Sequence, residues 1–269
     1  MTKYALGSAE TEIARLRAQA VLMAEPTAVL LQRGGIASGM RVLDLGCGPG
    51  DVSFQIADMV GPDGSVVGLD RDAAQLAAAN TRRHERGITT VEFVQGDART
   101  FVADRLFDAV VCRLLLMHLP RPAEALAHHL QNLRPGGTFI AVDYDTSGAH
   151  ACPEMPLYSQ VTTWLQAGFR HVGAEPNMGL RLPELFERAN LDGVGTLGLQ
   201  LFAGPGDRWA VSYIVDVVRA LQNHILASGV ATERDMDLDT LEQRLETQMQ
   251  EDRAVWAMPT IVGGWGRRP

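Results

Sequence analysis

The sequence has few cysteines, no long apolar run and no dense cluster of basic residues. Its three cysteines, Cys47, Cys112 and Cys152, lie too far apart to form a C-x-x-C pair, and two of them stand in apolar, strand-like segments. This spacing argues against disulfide bonds and against a structural zinc site. We therefore expect a protein that functions without a metal.

Hydropathy and charge limit the classes of partner that the protein can bind. No apolar run reaches about 18 residues, and charges stand near the amino terminus where a signal peptide needs an apolar segment. The chain has 24 Lys and Arg residues against 32 Asp and Glu residues, a net charge of −8. A nucleic acid partner would require clustered basic residues. These features predict a cytoplasmic protein that contacts neither a membrane nor nucleic acid and that acts on a small molecule.

The middle of the chain alternates strand-like and helix-like segments. This alternation is typical of a mostly parallel sheet with helices on both faces, and it predicts an α/β fold. Predicted helices over 51–60, 72–86 and 121–133 separate the apolar segments, and a charged helix is predicted over 237–252. The predicted strands are 41–46, 65–70, 90–97, 107–113 and 138–145.

The flanks of this alternating region predict additional elements. Residues 36–145 are expected to form the ligand-binding core. Residues 1–35 are predicted to form a helical lid, in which an apolar stripe that includes Ile13 and Leu16 places Tyr4 toward the ligand. A contact between copies of the chain in a homo-oligomer is the alternative for this helix. We interpret 146–181 and 205–252 as substrate-cap insertions, and 182–204 and 253–269 as C-terminal strands that complete the sheet.

The most informative segment is RVLDLGCGPGD (41–51), which contains the first strand and the turn after it. Three of the five residues from 46 to 50 are glycine. A dinucleotide-binding fingerprint, G-x-G-x-x-G, would have a glycine at position 51 so that the helix could approach a pyrophosphate closely. Asp51 stands there instead, and Asp44 adds a carboxylate just before the loop. Since two acids repel a phosphate, we expect the loop to bind a cationic group such as the ammonium of an amino acid.

Two further acids end the next two strands. Asp70 follows Gly50 by twenty residues, at the position from which a carboxylate accepts hydrogen bonds from ribose hydroxyls. Asp97 ends the third strand, where a carboxylate can accept a hydrogen bond from the exocyclic amine of adenine. An amino acid, a ribose and an adenine in this order describe S-adenosylmethionine.

With these motifs the sequence resembles the class I S-adenosylmethionine-dependent methyltransferases over at least residues 36–145. The segments VLDLGCGPGD, VVGLD, FVQGDA and FDAVVCRLLLMHL match the motifs of that family in order. The flanks are similar to a narrower group, the natural-product methyltransferases related to those of ubiquinone and menaquinone biosynthesis. The residues that carry this similarity are Tyr4, Gly7, Glu12, Arg15, Leu16, Gln19, Trp265 and Gly266. The resemblance implies a Rossmann-like, seven-stranded, mostly parallel sheet with helices on both faces. It implies cofactor contacts at Asp44, Gly46, Gly48, Gly50, Asp70, Arg71, Asp97, Ala98, Arg113 and Leu114.

The activity implied by the resemblance is methyl transfer from S-adenosyl-L-methionine to an O, N or C atom of a small molecule, with S-adenosyl-L-homocysteine as the product. Such a transfer mainly requires that the acceptor be held against the methyl group with water excluded. His118 is the candidate base if the acceptor must lose a proton, and a histidine that only packs or faces solvent is the alternative. Tyr4 and Asp143 are further candidates for the catalytic site, whereas His128 and His129 are expected at the surface.

Two other functions fit the same motifs. One is an enzyme that binds S-adenosylmethionine and catalyses a cyclisation without transferring its methyl group. The other is a non-catalytic binding or regulatory module that keeps the cofactor pocket. None of the motifs is degraded, which favours an enzyme over a binding module.

Overall fold

The structure is a computed structural model that describes the backbone of residues 9–269 and the side chains of residues 15–269. The chain folds into two units. The sheet unit consists of Leu16–Asp143, Met178–Gly198 and Ile261–Pro269. The helical unit consists of Tyr144–Asn177 and Leu199–Thr260, together with the described part of Met1–Arg15.

The described residues form ten strands, nine α-helices and two short 3-10 helices. The strands are β1 Arg41–Leu45, β2 Ser65–Asp70, β3 Val91–Gln95, β4 Phe107–Arg113, β5 Leu133–Asp145, β6 His150–Cys152, β7 Asp192–Leu199, β8 Phe202–Ala203, β9 Val255–Ala257 and β10 Thr260–Arg267. The α-helices are α1 Ala9–Arg33, α2 Asp51–Val60, α3 Ala73–Glu85, α4 Pro122–His129, α5 Pro156–His171, α6 Met178–Arg188, α7 Arg208–Ser228, α8 Glu233–Met236 and α9 Leu241–Glu251. The 3-10 helices are Leu116–His118 and Leu130–Asn132.

The sheet unit is built on a seven-stranded sheet in the order β3-β2-β1-β4-β5-β10-β7. β1 pairs in parallel with β2 and β4, β2 with β3, and β4 with β5. β10 runs antiparallel to β5, since the Gly136 amide donates to the Arg268 carbonyl and the Arg268 amide donates to the Gly137 carbonyl, both at 2.8 Å. The prediction of a Rossmann-like, mostly parallel sheet is therefore confirmed.

Burial explains why these segments form strands. β1 and β4 lie in the middle of the sheet, and their apolar side chains are almost completely buried. Strands that are covered on both faces have near-continuous apolar runs instead of alternating polar residues. The same burial holds the strands in register, so the loops at their carboxyl ends lie along one edge of the sheet.

The second half of α1 has one face buried in the sheet unit. The side chains of Met23, Leu30 and Leu31 in α1 are fully buried, as is the hydroxyl-bearing Thr27. These residues belong to the sheet unit. Much of the predicted lid, residues 1–35, is therefore core structure. A lid role stays a prediction for the beginning of the helix only, and Tyr4 lies outside the described residues.

The helical unit has its own apolar core and a small antiparallel sheet in the order β6-β9-β8. Tyr158 of α5 stacks on Trp256 of β9 with ring centroids 4.3 Å apart, and the Tyr158 hydroxyl donates to the Ala257 carbonyl at 3.2 Å. Aromatic stacking of this kind contributes about 0.5–1.5 kcal/mol beyond the area it buries. The two rings thus fix α5 on the small sheet. That this unit caps a substrate stays a prediction.

Two helix boundaries differ from the sequence-based expectation. The helix predicted from 237 to 252 begins four residues later, because Asp237 has a left-handed φ of 36° and separates α8 from α9. The helix predicted from 121 to 133 ends as α4 at His129 and continues as a 3-10 turn. Of the helices in the described part of the chain, none is long and apolar enough to span a membrane.

Candidate cofactor site

The loops that carry the predicted cofactor residues meet at the carboxyl edge of the sheet. Leu45 at the end of β1 pairs with Leu69 of β2 on one side and with Cys112 of β4 on the other. Asp70 pairs with Gln95 at the end of β3. The segments that follow these four strands are therefore neighbours, at the edge where open α/β sheets bind their ligands.

The glycine loop after β1 is fastened to the end of β2. The amides of Gly46 and Cys47 donate to the Leu69 carbonyl at 2.8 and 3.0 Å. Gly48 has a φ of 52°, and a side chain built there would meet no atom within 4 Å, so its backbone borders open space. Gly50 has a φ of 88°, and a Cβ atom there would lie 2.7 Å from the Phe93 ring. Both positions favour glycine because of their left-handed backbone, and at Gly50 the close packing also leaves no room for a side chain.

Asp70 links the glycine loop to the start of α3. Its Oδ2 accepts a hydrogen bond from the Gly48 amide at 2.9 Å, and its Oδ1 accepts one from the Asp72 amide at 2.9 Å. The residue is 8% exposed. Because a carboxylate oxygen can accept two hydrogen bonds, each oxygen keeps capacity for a further donor. The geometry therefore suits a ligand with two adjacent hydroxyl groups.

Asp44 is enclosed directly beneath the glycine loop. It is 1% exposed, and its Oδ2 accepts a hydrogen bond from the Ser53 hydroxyl at 2.6 Å. Burial raises the pKa of the Asp44 carboxyl to about 7, although the Ser53 hydroxyl and the nearby Arg113 guanidinium oppose the shift. Asp44 is thus poised between its acid and its carboxylate, and a bound cation would favour the carboxylate.

Asp44→Asn is expected to stabilise the ligand-free protein at alkaline pH. Because the folded-state pKa is raised, the folded protein holds this proton more tightly than the unfolded chain does, and stability falls as pH rises from about 4 to about 7. Asparagine removes this loss while still accepting the Ser53 hydrogen bond. The expected advantage grows through that pH range and levels off at up to about 4 kcal/mol above pH 7.

Denaturant unfolding at a series of pH values measures this effect. Asp58→Asn, on the exposed side of α2, is the matched control and should follow the wild type. Equal pH dependence of stability in the wild type and in Asp44→Asn would contradict the buried, proton-binding carboxyl.

The negative charge of Asp51 is compensated by an arginine side chain. Its Oδ1 lies 2.6 Å from Nη2 of Arg82 in α3, and the same guanidinium donates to the Pro49 carbonyl at 2.6 Å. The Arg82 guanidinium therefore compensates the carboxylate at the start of α2. Contrary to the sequence-based expectation, Asp51 in this ion pair would repel a phosphate only weakly, and Asp44 and Asp70 remain as the acids that face the loop.

Asp97 forms an ion pair with Arg99, a residue that no sequence motif indicates. The Arg99 side chain donates to both Asp97 oxygens, with Nε at 3.0 and 3.1 Å and Nη2 at 2.5 Å. This hydrogen bonding lowers the pKa of Asp97 to about 2. A hydrogen bond from adenine to Asp97 would therefore require the exposed Arg99 side chain to shift. Ala98 is half-buried beside it, and Arg71 is exposed; their contacts with a cofactor stay predictions.

The end of β4 contributes a cation and a strained backbone. Nη1 of Arg113 donates to the Thr27 hydroxyl of α1 at 3.2 Å. Leu114 has a left-handed φ of 52°, and its amide donates to the Val142 carbonyl at 2.8 Å. A leucine rarely adopts this conformation, and such strain is concentrated at functional sites. Thr27 and Ser53 carry no motif in the sequence, so only the fold brings them to Arg113 and Asp44.

The predicted catalytic residues have different surroundings. His118 is exposed at the end of the 3-10 helix that follows β4, on the edge that carries the glycine loop. Asp143 is 0% exposed, and burial raises the pKa of its carboxyl well above the usual range although the Met117 and Leu116 amides lie nearby. Neither Asp143 oxygen makes a hydrogen bond within the described residues. Such enclosure disfavours direct substrate contact, so its catalytic role stays a prediction.

The expectation that the α4 histidines lie at the surface is wrong for His129. This residue is 1% exposed and is hydrogen-bonded on both ring nitrogens. His128 is half-buried, and its Nε2 lies 3.0 Å from the Phe101 carbonyl. The sequence places both on one helix, but it does not indicate that the loop after β3 covers them.

Comparisons with known proteins agree with this arrangement. The methyltransferase domain family named Methyltransf_31 matches residues 36–190. A demethylmenaquinone methyltransferase from Lactococcus lactis subsp. lactis (strain IL1403) is 32% identical over 131 residues, which cover 48% of this chain and 50% of that protein. The chain thus spans about half the length of this curated relative.

Two solved structures share the fold. The YcgJ protein from Bacillus subtilis superposes with a TM-score of 0.60 at 18% identity, over 91% of this chain and 99% of that chain. The 4+2 cyclase SpnF superposes with a TM-score of 0.54 at 20% identity, over 91% of this chain and 81% of that chain. At such identities the likeness concerns the fold alone. The match over residues 36–190, which is more than half of the sequence, makes this chain a member of the methyltransferase domain family.

Proposed function

We propose that the sheet unit binds S-adenosylmethionine at the carboxyl edge of β1 and β2. One observation carries this proposal: the Asp70 carboxylate holds the Gly48 amide at 2.9 Å while the Gly48 backbone borders open space. A cofactor can therefore lie against the loop and still reach the spare acceptor capacity of Asp70. The open space at the Gly48 backbone and the spare acceptor capacity of Asp70 both fit S-adenosylmethionine.

The three parts of the cofactor would meet different residues. Asp44, as a carboxylate, would attract the ammonium at the methionine end, with Gly46, Gly48 and Gly50 around it. Asp70 would accept hydrogen bonds from both ribose hydroxyls, which are charge-assisted and hence stronger than neutral ones. Further proposed contacts are Arg71 at the ribose and Asp97 and Ala98 at the adenine, with Arg113 and Leu114 closing over the cofactor.

We infer methyl transfer as the activity. The bound cofactor supplies an electrophilic methyl group on a sulfonium that is already a good leaving group. The residues of this chain then have to hold the acceptor in line and to exclude water. His118 stands on the same edge as the glycine loop, where a neutral imidazole could remove a proton from an acidic acceptor group.

The acceptor is proposed to be a small hydroxylated ring of the quinol class. Support comes from the demethylmenaquinone methyltransferase that is 32% identical over half of its length. The chain has a net charge of −8, which suits an uncharged acceptor better than an anionic one. The accepting atom can be the ring carbon or the oxygen, because deprotonation makes both nucleophilic.

A cyclisation without methyl transfer is the second candidate. The observation that favours it is the fold shared with the cyclase SpnF over 91% of this chain. In that case the cofactor would shape the pocket, and His118 would have no proton to remove from an acceptor.

An assay with methyl-labelled S-adenosylmethionine and a panel of substituted hydroquinones separates the candidates. We expect the label to appear in the ring product together with an equal amount of S-adenosylhomocysteine. A product without label and without S-adenosylhomocysteine would indicate cyclisation. Cofactor binding without transfer to any hydroquinone would refute the quinol class of acceptor.

A further inference from the structure

Two buried polar side chains connect α4 to the loop after β3. His129, the last residue of α4, and Asn132, in the following 3-10 turn, are each 1% exposed. Buried polar groups are costly unless every hydrogen bond is made, so an apolar pair would be the simpler choice at these positions. Both residues lie in the sheet unit, as does the loop that they contact.

The hydrogen bonds of His129 define its protonation. Its Nε2 lies 2.5 Å from the Ala98 carbonyl, which can only accept, so Nε2 must carry the proton. Its Nδ1 lies 2.9 Å from the Asn132 amide nitrogen, which can only donate, so Nδ1 must be bare. The ring is therefore neutral. Burial, with a smaller effect of His128, lowers the pKa of His129 to about 4, which agrees with this pattern.

Asn132 extends the connection along the loop. Its Nδ2 also donates to the Phe101 carbonyl at 3.1 Å, and its Oδ1 accepts a hydrogen bond from the Ala103 amide at 2.9 Å. Ala98, Phe101 and Ala103 are thus held by two side chains. The loop itself makes a tight turn, because the Asp97 carbonyl accepts from the amides of Thr100 and Phe101 at 3.0 Å.

We propose that His129, supported by Asn132, is a positioning residue that fixes the Asp97–Ala98 segment and so sets recognition of the adenine ring. This inference rests on the proposed function, because it assumes that the adenine of S-adenosylmethionine lies against that segment. His129 itself is enclosed and acts only through the Ala98 carbonyl. Its loss would leave the turn intact but free to shift.

The neighbouring histidine provides a matched control. His128 contacts the same loop through the Phe101 carbonyl at 3.0 Å, but that carbonyl is also a partner of Asn132. His128→Leu therefore leaves the Phe101 carbonyl with a donor, whereas His129→Leu removes the side-chain donor that reaches the Ala98 carbonyl in the described part of the chain. His129→Gln places an amide nitrogen near the position of Nε2, so it can restore the donor.

The experiment compares S-adenosylhomocysteine with its analogue in which hypoxanthine replaces adenine, using calorimetry on the full chain. Hypoxanthine has a carbonyl in place of the amine of adenine and a proton on the adjacent ring nitrogen. The comparison therefore tests recognition of this edge of the base alone. The wild type is expected to prefer adenine by about tenfold or more, because the wrong base edge leaves hydrogen-bonding groups without a partner. In His129→Leu we expect the Kd for S-adenosylhomocysteine to rise about tenfold and the preference to fall to about twofold or less.

The remaining outcomes are also decisive. We expect His128→Leu to keep the preference and His129→Gln to regain it. A folded His129→Leu variant with normal affinity and preference would overturn the inference. If that variant does not fold, a folded His129→Gln variant that lacks the preference overturns it instead. A wild type that binds neither ligand would refute the proposed function, which distinguishes the two failures.

Discussion

Asp70→Ala is expected to raise the Kd for S-adenosylhomocysteine by roughly 30- to 700-fold, which corresponds to about 2 to 4 kcal/mol. The substitution removes the acceptor of two charge-assisted hydrogen bonds from the ribose. It also releases the Gly48 amide, which Asp70 Oδ2 holds at 2.9 Å, and so loosens the loop that carries the methionine end. Calorimetric titration of the variant and the wild type measures the difference.

Asp72→Ala is the matched control for this prediction. Asp72 caps α3 by accepting hydrogen bonds from the amides of Ala74 and Gln75 at 2.8 and 3.4 Å, and its own backbone amide still reaches Asp70 after substitution. Loss of the cap should reduce stability by about 1 kcal/mol without changing the Kd. Asp70→Asn, which keeps one acceptor oxygen, should have an intermediate affinity. An unchanged Kd in folded Asp70→Ala would remove Asp70 from the ribose site.

His118→Gln is expected to lower kcat by about 100-fold or more, the lower end of the usual contribution of a general base. Glutamine has a similar size and can hydrogen-bond, but it cannot accept a proton at neutral pH. The Kd for the cofactor should stay constant, because His118 is placed at the acceptor and not at the cofactor.

His84→Gln controls for the loss of an exposed imidazole elsewhere in the sheet unit, since His84 lies on α3 and its Nδ1 contacts the Asn80 carbonyl. Steady-state kinetics over a pH series would compare the two variants. If His118→Gln keeps most of its kcat at every pH, positioning alone drives the transfer and no base is needed at this site.

The sheet and the glycine loop could be predicted because local sequence determines them. β1, β2 and β4 are short apolar runs that stop just before Gly46, at Asp70 and at Arg113, and each begins and ends within a residue or two of its predicted bounds. The left-handed φ at Gly48 and Gly50 also follows from residue type. Such features depend on neighbours in the chain, so a single sequence contains them.

Contacts between distant segments could not be predicted in this way. The Arg82 guanidinium reaches Asp51 across 31 positions, and His129 reaches the Ala98 carbonyl across 31 as well. Neither spacing matches a motif, and a histidine beside a second histidine on a helix is read as polar surface. The ion pair and the buried bridge depend on how α3 and α4 pack, which the apolar pattern of the helices leaves undetermined.

The open glycine loop and Asp70 are proposed to form the binding site of S-adenosylmethionine. Titration of the purified wild-type chain with S-adenosylhomocysteine, without added metal, tests it most directly. We expect one site per chain with a Kd on the order of micromolar, equivalent to about −8 kcal/mol. A folded protein that shows no binding at ligand concentrations about a hundred times higher would contradict it.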